Sequence, residues 1–186
     1  MNIIESYAYR KANSITQNEK SIKYIHIYTF KNRKNTQYIV NVEEYDFDVF
    51  VIKFHTKSNR QSKNRYCLLT HEKDARRIIF TCIKIGQDIY SKNKNASFGF
   101  IGAPLIKEIK EREKDAVLNN TKRFKVYRKF ATFFFSPDNF IHSENVLYSS
   151  YLLVNKESAT SNPKIEDDIM GMFESHFDTN DLFCFN

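Results

Sequence analysis

The sequence predicts a single α/β domain built on a mixed sheet, and three patterns along the chain predict it. Residues 22–56 alternate apolar with polar side chains and are rich in β-branched and aromatic types, as half-buried strands are. Residues 71–90 then repeat apolar side chains at helical spacing. The short apolar run 97–103 lies among Gly and Pro and is typical of a central strand. Together these patterns predict an antiparallel meander followed by a β-α-β unit.

The predicted meander consists of strands at residues 22–30, 37–45, 47–56 and 65–69. Short polar segments connect them. The helix at 71–90 follows Thr70, a favourable N-cap residue, and Glu72 and Asp74 suit the positive end of its dipole. Because connections between parallel strands cross over through a helix, we expect strands 65–69 and 97–103 to run parallel.

The remaining segments complete the predicted domain. Residues 105–118 have the composition of a helix or a long insertion, and the helical spacing within 119–135 predicts a second helix. A closing strand is expected in 145–155. Residues 1–20 are polar and weakly patterned, which indicates a loose arm or a short helix. We therefore place the domain at residues 1–156 and interpret 157–186 as an appended acidic tail.

Length and composition indicate a globular domain that needs no disulfide or metal to fold. The chain has 186 residues, of which 41% are hydrophobic and 27% charged. Its three cysteines are odd in number and widely spaced, which favours reduced thiols. No apolar run is long enough to cross a membrane, and the first residues lack the pattern of a secretory signal. We expect a cytoplasmic protein with no membrane contact.

The net charge of +7 is unevenly distributed along the sequence. Residues 157–186 contain seven acidic residues and one lysine, so they carry about −6 and residues 1–156 about +13. A body this basic attracts acidic partners, either nucleic acid or protein. The alternative interpretation is that the lysines reflect an AT-rich gene and only keep the surface hydrated.

The second predicted helix concentrates basic side chains. Lys122, Lys125 and Lys129 recur at three and four residues and therefore share one face, with Arg128 nearby. Such a row can follow a phosphate backbone, although a hydrated helix face is the usual explanation. Arg123 falls within the apolar arc of the same helix, where a guanidinium requires an anionic partner. It is either half of a structural ion pair or a ligand contact.

This segment also carries a resemblance to a known family. Asn120, Tyr127 and Lys129 stand at spacings that occur in the GNAT N-acetyltransferase superfamily, and the predicted order of elements resembles that family's order over roughly residues 37–155. The resemblance implies that Tyr127 is the general acid, while a tyrosine in the core is the alternative. Glu43 or Glu44 could then act as the general base, unless both are exposed strand ends.

The cofactor site that the resemblance implies is altered in this chain. The family holds the pyrophosphate of acetyl-CoA on a glycine-rich loop before the first crossover helix, where bare backbone N–H groups contact the phosphates. Here the corresponding segment has no glycine and contains Glu72 and Asp74, whose carboxylates repel phosphate. The remaining candidate contacts are Thr70, His71, Lys73, Arg76, Arg77 and Asn120. We therefore expect no cofactor, and acetyl-CoA only if the protein is an enzyme.

The sequence thus favours a non-catalytic, GNAT-like binding module that meets an acidic partner through the basic residues Lys122, Arg123, Lys125, Arg128 and Lys129. The alternative is a divergent acyl-CoA-dependent N-acyltransferase. A role as an accessory of a bacterial toxin or defence system is a further hypothesis, suggested only by the small size and basic charge. Neither a nucleophile elbow nor a P-loop occurs, and the histidines lie too far apart for a metal motif.

Overall fold

A computed structural model of the protein describes residues 5–17, 21–66, 74–104, 108 and 119–176. The strands are β1 (Tyr9–Thr16), β2 (Ile22–Lys31), β3 (Gln37–Tyr45), β4 (Val49–Thr56), β5 (Ser97–Ile101), β6 (Phe140–Asn145) and β7 (Ser150–Asn155). The helices are α1 (Ala75–Lys92), α2 (Lys122–Phe134), α3 (Lys156–Ser161) and α4 (Ile165–His176). Within these ranges, no helix is both long enough and apolar enough to cross a membrane.

The strands form one mixed sheet in the order β1-β2-β3-β4-β5-β7-β6. Strands β1 to β4 are an antiparallel meander, and β4 pairs with β5 in parallel through Val49–Ser97, Phe50–Phe98 and Val51–Gly99. Strand β7 lies antiparallel between β5 and β6. The predicted mixed α/β architecture is therefore confirmed, while the resemblance to a particular superfamily stays a prediction.

One face of the sheet, here called the α1 face, is covered by α1 and α2. Alternate residues of β3, among them Tyr38, Val40 and Val42, are buried against Ile78 and Ile85 of α1. Helix α2 adds Phe124, which is fully buried, and Ala131. Thr121 caps α2, since its side chain accepts a hydrogen bond from the backbone N–H of Phe124 at 3.1 Å. The helical spacing within 119–135 is confirmed.

The opposite face, here called the α4 face, is covered by part of the predicted acidic tail, so that part of the segment is not a tail. Ile165, Ile169 and Met172 are buried against Tyr45, Val49, Val51, Leu152 and Val154 of the sheet. The acidic side chains of α4 occupy its other sides. A segment with a strongly negative net charge can therefore belong to the core, because helical spacing collects its few apolar residues on one face.

The N-terminal segment forms a strand, so the expected loose arm or short helix over residues 1–20 is wrong for the part described. Strand β1 pairs with β2 from Tyr9 opposite Phe30 to Thr16 opposite Tyr24. Its side chains are mostly exposed because it is the edge strand, which explains the missing apolar alternation. The tyrosines anchor it to α1: Tyr7 OH donates to Asp74 at 2.7 Å and Tyr9 OH to Asp88 at 2.6 Å.

The β-α-β unit has a different first strand from the one predicted. The parallel partner of β5 is β4, whereas residues 65–66 lie in turns and 67–69 lie outside the described residues. Helix α1 spans 75–92, and its predicted start at 71–73 also lies outside them. The prediction chose residues 65–69 because they precede the helix directly in the sequence, but sequence order does not determine which strands pair.

The predicted closing strand within 145–155 is confirmed as β7, which is the second strand of a hairpin whose first strand, β6, was not predicted. Residues 140–145 and 150–155 pair antiparallel around a turn at 146–149, where Ser149 has a positive φ of 50°. The predicted helix or insertion at 105–118 lies outside the described residues, apart from residue 108.

Candidate functional site

Tyr127, the implied general acid, is half-buried on α2. Its ring meets the ring of Phe100 edge-on, with 5.6 Å between centroids. Burial raises the pKa of Tyr127 to about 12, while nearby Arg123 lowers the pKa and Cys82 raises it. The phenol therefore stays protonated at neutral pH and can donate a hydrogen bond. Cys82 is itself a buried free thiol, and burial raises its pKa, so it is protonated as well.

Glu43 and Glu44 project from opposite faces of β3. The expectation that both are exposed strand ends is wrong for Glu43, which is 8% exposed. Its carboxylate lies 2.7 Å from Nζ of Lys53 and accepts a hydrogen bond from Tyr45 OH at 2.8 Å. Glu44 lies 2.7 Å from Nε2 of His26. Each carboxylate thus has a cationic or hydrogen-bonding partner within the fold.

The residues predicted around acetyl-CoA are only partly described. Thr70, His71 and Lys73 lie outside the described residues. Arg76 is exposed at the start of α1. The guanidinium of Arg77 lies 4.2 Å from the ring centroid of Tyr7 and donates to the backbone carbonyl of Ser6 at 3.3 Å, so it holds the N-terminal segment.

Asn120 precedes α2 in a left-handed conformation, with a φ of 48°. Its backbone N–H donates to the carbonyl of Val146 at 3.0 Å. Among the described atoms its buried Oδ1 has no hydrogen-bond partner. This residue therefore joins the start of α2 to the β6–β7 turn.

Tyr66, in the loop after β4, packs against side chains of β3 and β4. Nδ2 of Asn41 donates to Tyr66 OH at 2.9 Å, and the ring of His55 packs edge-on against the Tyr66 ring at 5.4 Å. Arg123 donates to the backbone carbonyl of Tyr66. In this contact the partner of Arg123 is a backbone carbonyl and not the predicted anion. The hydrogen bond joins α2 to the loop after β4.

The basic residues of α2 divide into two groups. Lys122, Lys125 and Lys129 are exposed on one face of the helix. Arg128 instead pairs with Glu144 of β6 at 3.1 Å. Two large apolar residues, Val126 and Phe133, are 41% and 61% exposed beside the lysines. The structure therefore separates a lysine row, Lys122, Lys125 and Lys129, from the two arginines, which have partners in the fold.

A cavity of about 510 Å³ opens on the α4 face, between α4 and strands β5, β7 and β6. Its apolar floor includes Gly99 and Leu152 of the sheet, and Ser143 and Ser150 add hydroxyl groups. Tyr148, from the turn between β6 and β7, borders the opening and is 40% exposed. The cavity has the size and mixed lining of a small-molecule site.

The wall formed by α4 gives this cavity its charge. Glu166, Asp167 and Glu174 line it together with Met170 and Phe173. Glu144 also borders the cavity, although its carboxylate pairs with Arg128. None of the described residues that line the cavity is basic. The cavity is therefore negatively charged in a protein whose net charge is positive.

Sequence reasoning missed this cavity because it treated residues 157–186 as a tail. The available signal was the helical spacing of Ile165, Ile169 and Met172, which predicts a packed helix with its acidic residues beside the sheet. In the described part of the chain, no group of three or more His, Cys, Asp or Glu residues is placed to hold a metal ion.

Comparison of the chain with protein-family models, with curated proteins and with solved structures finds no match.

Proposed function

We propose that the protein is a binding module for an organic cation, which it holds in the cavity on the α4 face. The observation that carries this proposal is an apolar cavity of about 510 Å³ whose charged lining is acidic. An apolar floor favours a carbon chain, and carboxylates at the wall favour ammonium or guanidinium groups. The aromatic rings of Phe173 and Tyr148 add faces to which cations are attracted.

The arrangement of the wall narrows the class of ligand. Asp167 and Glu174 are seven residues apart on α4, which places them on one side of the helix about 10 Å apart along its axis. Met170 and Phe173 lie between them along the same wall. The wall is thus charged at its ends and apolar in its middle. A linear alkyl diamine or polyamine has the complementary pattern.

Calorimetry with 1,8-diaminooctane and with octylamine tests the proposal. The two share a carbon chain and differ in one charge, so we expect the diamine to bind more tightly to the wild type. Changing Asp167 to Asn and Glu174 to Gln should each weaken diamine binding about two- to fivefold, as for exposed ion pairs, and together about tenfold. The double variant should bind the two compounds alike.

Asp168→Asn is the matched control, because Asp168 is in the same first turn of α4 but accepts a hydrogen bond from Asn162 instead of lining the cavity. If Asp168→Asn weakened diamine binding as much as the double variant does, the loss would reflect the overall charge of α4 and not contacts in the cavity. Undetectable binding of both amines to the wild type would overturn the proposal. Adding acetyl-CoA to the diamine complex separates binding from catalysis, because N-acyltransfer would release free thiol.

A second candidate function is the binding of an acidic partner, nucleic acid or protein, through the lysine row of α2. The observation that favours it is the exposure of all three lysines on one helix face, with Val126 and Phe133 also exposed there. Neighbouring lysines at this spacing lie about 5–6 Å apart, so three phosphates or carboxylates can be contacted together.

Changing Lys122, Lys125 and Lys129 to alanine should weaken binding to a single-stranded oligonucleotide at low salt. Three contacts give a slope of about −2 to −3 for the logarithm of affinity against that of salt concentration, and the variant should flatten it. The control changes the exposed Lys92, Lys156 and Lys164 to alanine, which removes the same charge elsewhere. Binding is measured by fluorescence anisotropy. Equal losses of affinity in the two triple variants would show that overall charge, and not the lysine row, determines binding.

A further inference from the structure

Three polar side chains on neighbouring strands form a hydrogen-bonded series on the α1 face of the sheet. Oγ of Ser14 on β1 lies 2.9 Å from Nδ1 of His26 on β2. Nε2 of the same imidazole lies 2.7 Å from a carboxylate oxygen of Glu44 on β3. These residues are 12 and 18 positions apart in the sequence, and the antiparallel register brings them together.

The order of the groups determines the direction of proton transfer. A carboxylate only accepts hydrogen bonds, so Glu44 holds the imidazole proton on Nε2. In the neutral imidazole with this tautomer, Nδ1 of His26 carries a lone pair and accepts the hydrogen bond that the hydroxyl of Ser14 donates. A hydroxyl, an imidazole and a carboxylate in this order make up an activated nucleophile, its base and the group that orients the base.

The surroundings leave the hydroxyl accessible while they hold the base in place. Ser14 is exposed, whereas the side chains of His26 and Glu44 are 15% and 20% exposed. The ring of Tyr24 stacks on the His26 imidazole, with 5.9 Å between centroids and 17° between planes. A reagent from solution can thus reach Ser14 although the imidazole is packed against its neighbours.

The backbone N–H of Ser14 is also suited to a role in acyl transfer. It donates to Oδ1 of the neighbouring Asn13 at 2.8 Å. Because that acceptor is an exposed side chain, a developing oxyanion could replace it without breaking a bond of the sheet. Strand β1 is at the edge of the sheet, so this part of Ser14 faces no further strand.

We propose that Ser14 is a nucleophile for acyl transfer from small esters or thioesters, with His26 as its base and Glu44 as a positioning residue. Oγ attacks the carbonyl carbon while the hydroxyl proton moves to Nδ1. The C–O or C–S bond to the leaving group then breaks, and the leaving group takes the proton from Nδ1. Water, deprotonated by the same nitrogen, then attacks the acyl carbon of the Ser14 ester; the C–Oγ bond breaks, Oγ takes the proton from Nδ1, and a carboxylic acid is released.

Labelling of the full chain with a fluorophosphonate probe tests this proposal. The Oγ–P bond forms, fluoride leaves and the proton goes to His26, so mass spectrometry should find the label on Ser14. A general base contributes about 10²- to 10⁴-fold, so His26→Ala should slow labelling by at least about a hundredfold. Imidazole added in solution should restore part of this rate, which a purely structural role for His26 would not allow. Glu44→Gln should also slow labelling, and Glu44→Asp should restore part of it.

Ser91→Ala is the matched control, because Ser91 is an exposed serine whose hydroxyl donates to a backbone carbonyl, that of Asp88, at 2.7 Å. It should label like the wild type, and Ser14→Ala should abolish labelling and the release of p-nitrophenol from p-nitrophenyl acetate at this site. Absence of label on Ser14 in the wild type overturns the proposal. So does equal labelling of the wild type and a His26→Ala variant whose thermal unfolding shows that it is folded.

Discussion

Replacing Gly102 by alanine should destabilise the protein by about 3 kcal/mol or more, because the new methyl group has no space. A Cβ at this position would lie 2.4 Å from the backbone nitrogen of Phe124 and 2.5 Å from its Cα. The clash is with backbone atoms at the start of α2, so rotation of a side chain cannot relieve it. Overpacking of a core position usually costs about 1–3 kcal/mol, and here the helix itself must move.

The position of Gly102 links β5 to two other elements. Its N–H donates to the carbonyl of Ser149 at 2.8 Å, and its carbonyl accepts from the hydroxyl of Thr121, the N-cap of α2. A shift of α2 would therefore strain these hydrogen bonds as well. For a chain of this size, a loss of 3 kcal/mol corresponds to a fall in melting temperature of roughly 6–12 °C.

Gly171→Ala is the matched control for this experiment. Gly171 is in α4, and among the described residues a Cβ there would have no heavy atom within 4 Å apart from its chain neighbours and the backbone of its own helix. Alanine is a better helix former than glycine by about 1 kcal/mol, so this variant should be as stable as the wild type or more stable. Thermal unfolding of both variants gives the comparison. A Gly102→Ala variant that melts with the wild type would mean that the contact with Phe124 is not as close as described.

Acidification should remove stability through His55, which is buried in its neutral form. Burial, together with the smaller effect of the nearby Arg65 charge, lowers the pKa of His55 to about 4. Only 5% of the residue is exposed, and among the described atoms its Nδ1 has no hydrogen-bond partner. An imidazolium at this position would be desolvated, and the proton on Nδ1 would have no hydrogen-bond acceptor among the described atoms.

The direction of the pH dependence follows from which state binds more protons. Between pH 6.5 and pH 4 the unfolded chain protonates His55 and the folded protein does not. The contribution of neutral His55 to the free energy of unfolding should therefore be fully present above pH 6.5. It should be lost progressively as the pH decreases towards 4. One pKa unit corresponds to about 1.4 kcal/mol, so the loss from this residue should be roughly 2 kcal/mol at pH 5.

Urea unfolding of the wild type and of His55→Phe, each at pH 7 and pH 5, measures this contribution. Phenylalanine keeps an aromatic ring against Tyr66 but cannot be protonated. The difference in stability between the two pH values should be about 2 kcal/mol smaller in the variant, whatever the substitution does at pH 7. An identical loss in both proteins would assign the acid sensitivity to other groups.

Much of the fold could be predicted from local pattern, and the errors have a common cause. Strands β2 to β4 and helices α1 and α2 are predictable because each buries one face, which imposes a period of two or of 3.6 residues. Strand β5 is predictable for a different reason, because its run of apolar residues is typical of a central strand. Strand β1 was missed because an edge strand with exposed side chains needs no apolar alternation. Of the predicted strand 65–69, the described residues 65 and 66 lie in turns, because the composition of five residues does not show whether a segment finds a pairing partner.

The candidate sites were less predictable than the fold. The lysine row followed directly from helical spacing, since its members belong to one element. The cavity on the α4 face combines residues of β4 to β7 with residues of α4, and no short motif contains both. The series from Ser14 to Glu44 depends on the register of three strands, and a slip of one residue would turn these side chains to the other face.

The sequence by itself therefore determined the α/β class, the basic character of the body and the lysine row of α2. These follow from composition and from periodicity within single elements, both of which are local properties. Only the tertiary structure decided that β4 is the parallel partner of β5, that residues 165–176 complete the core, and that acidic side chains line a cavity in a basic protein. These depend on contacts between distant residues, and such contacts form because the whole chain buries its apolar surface together.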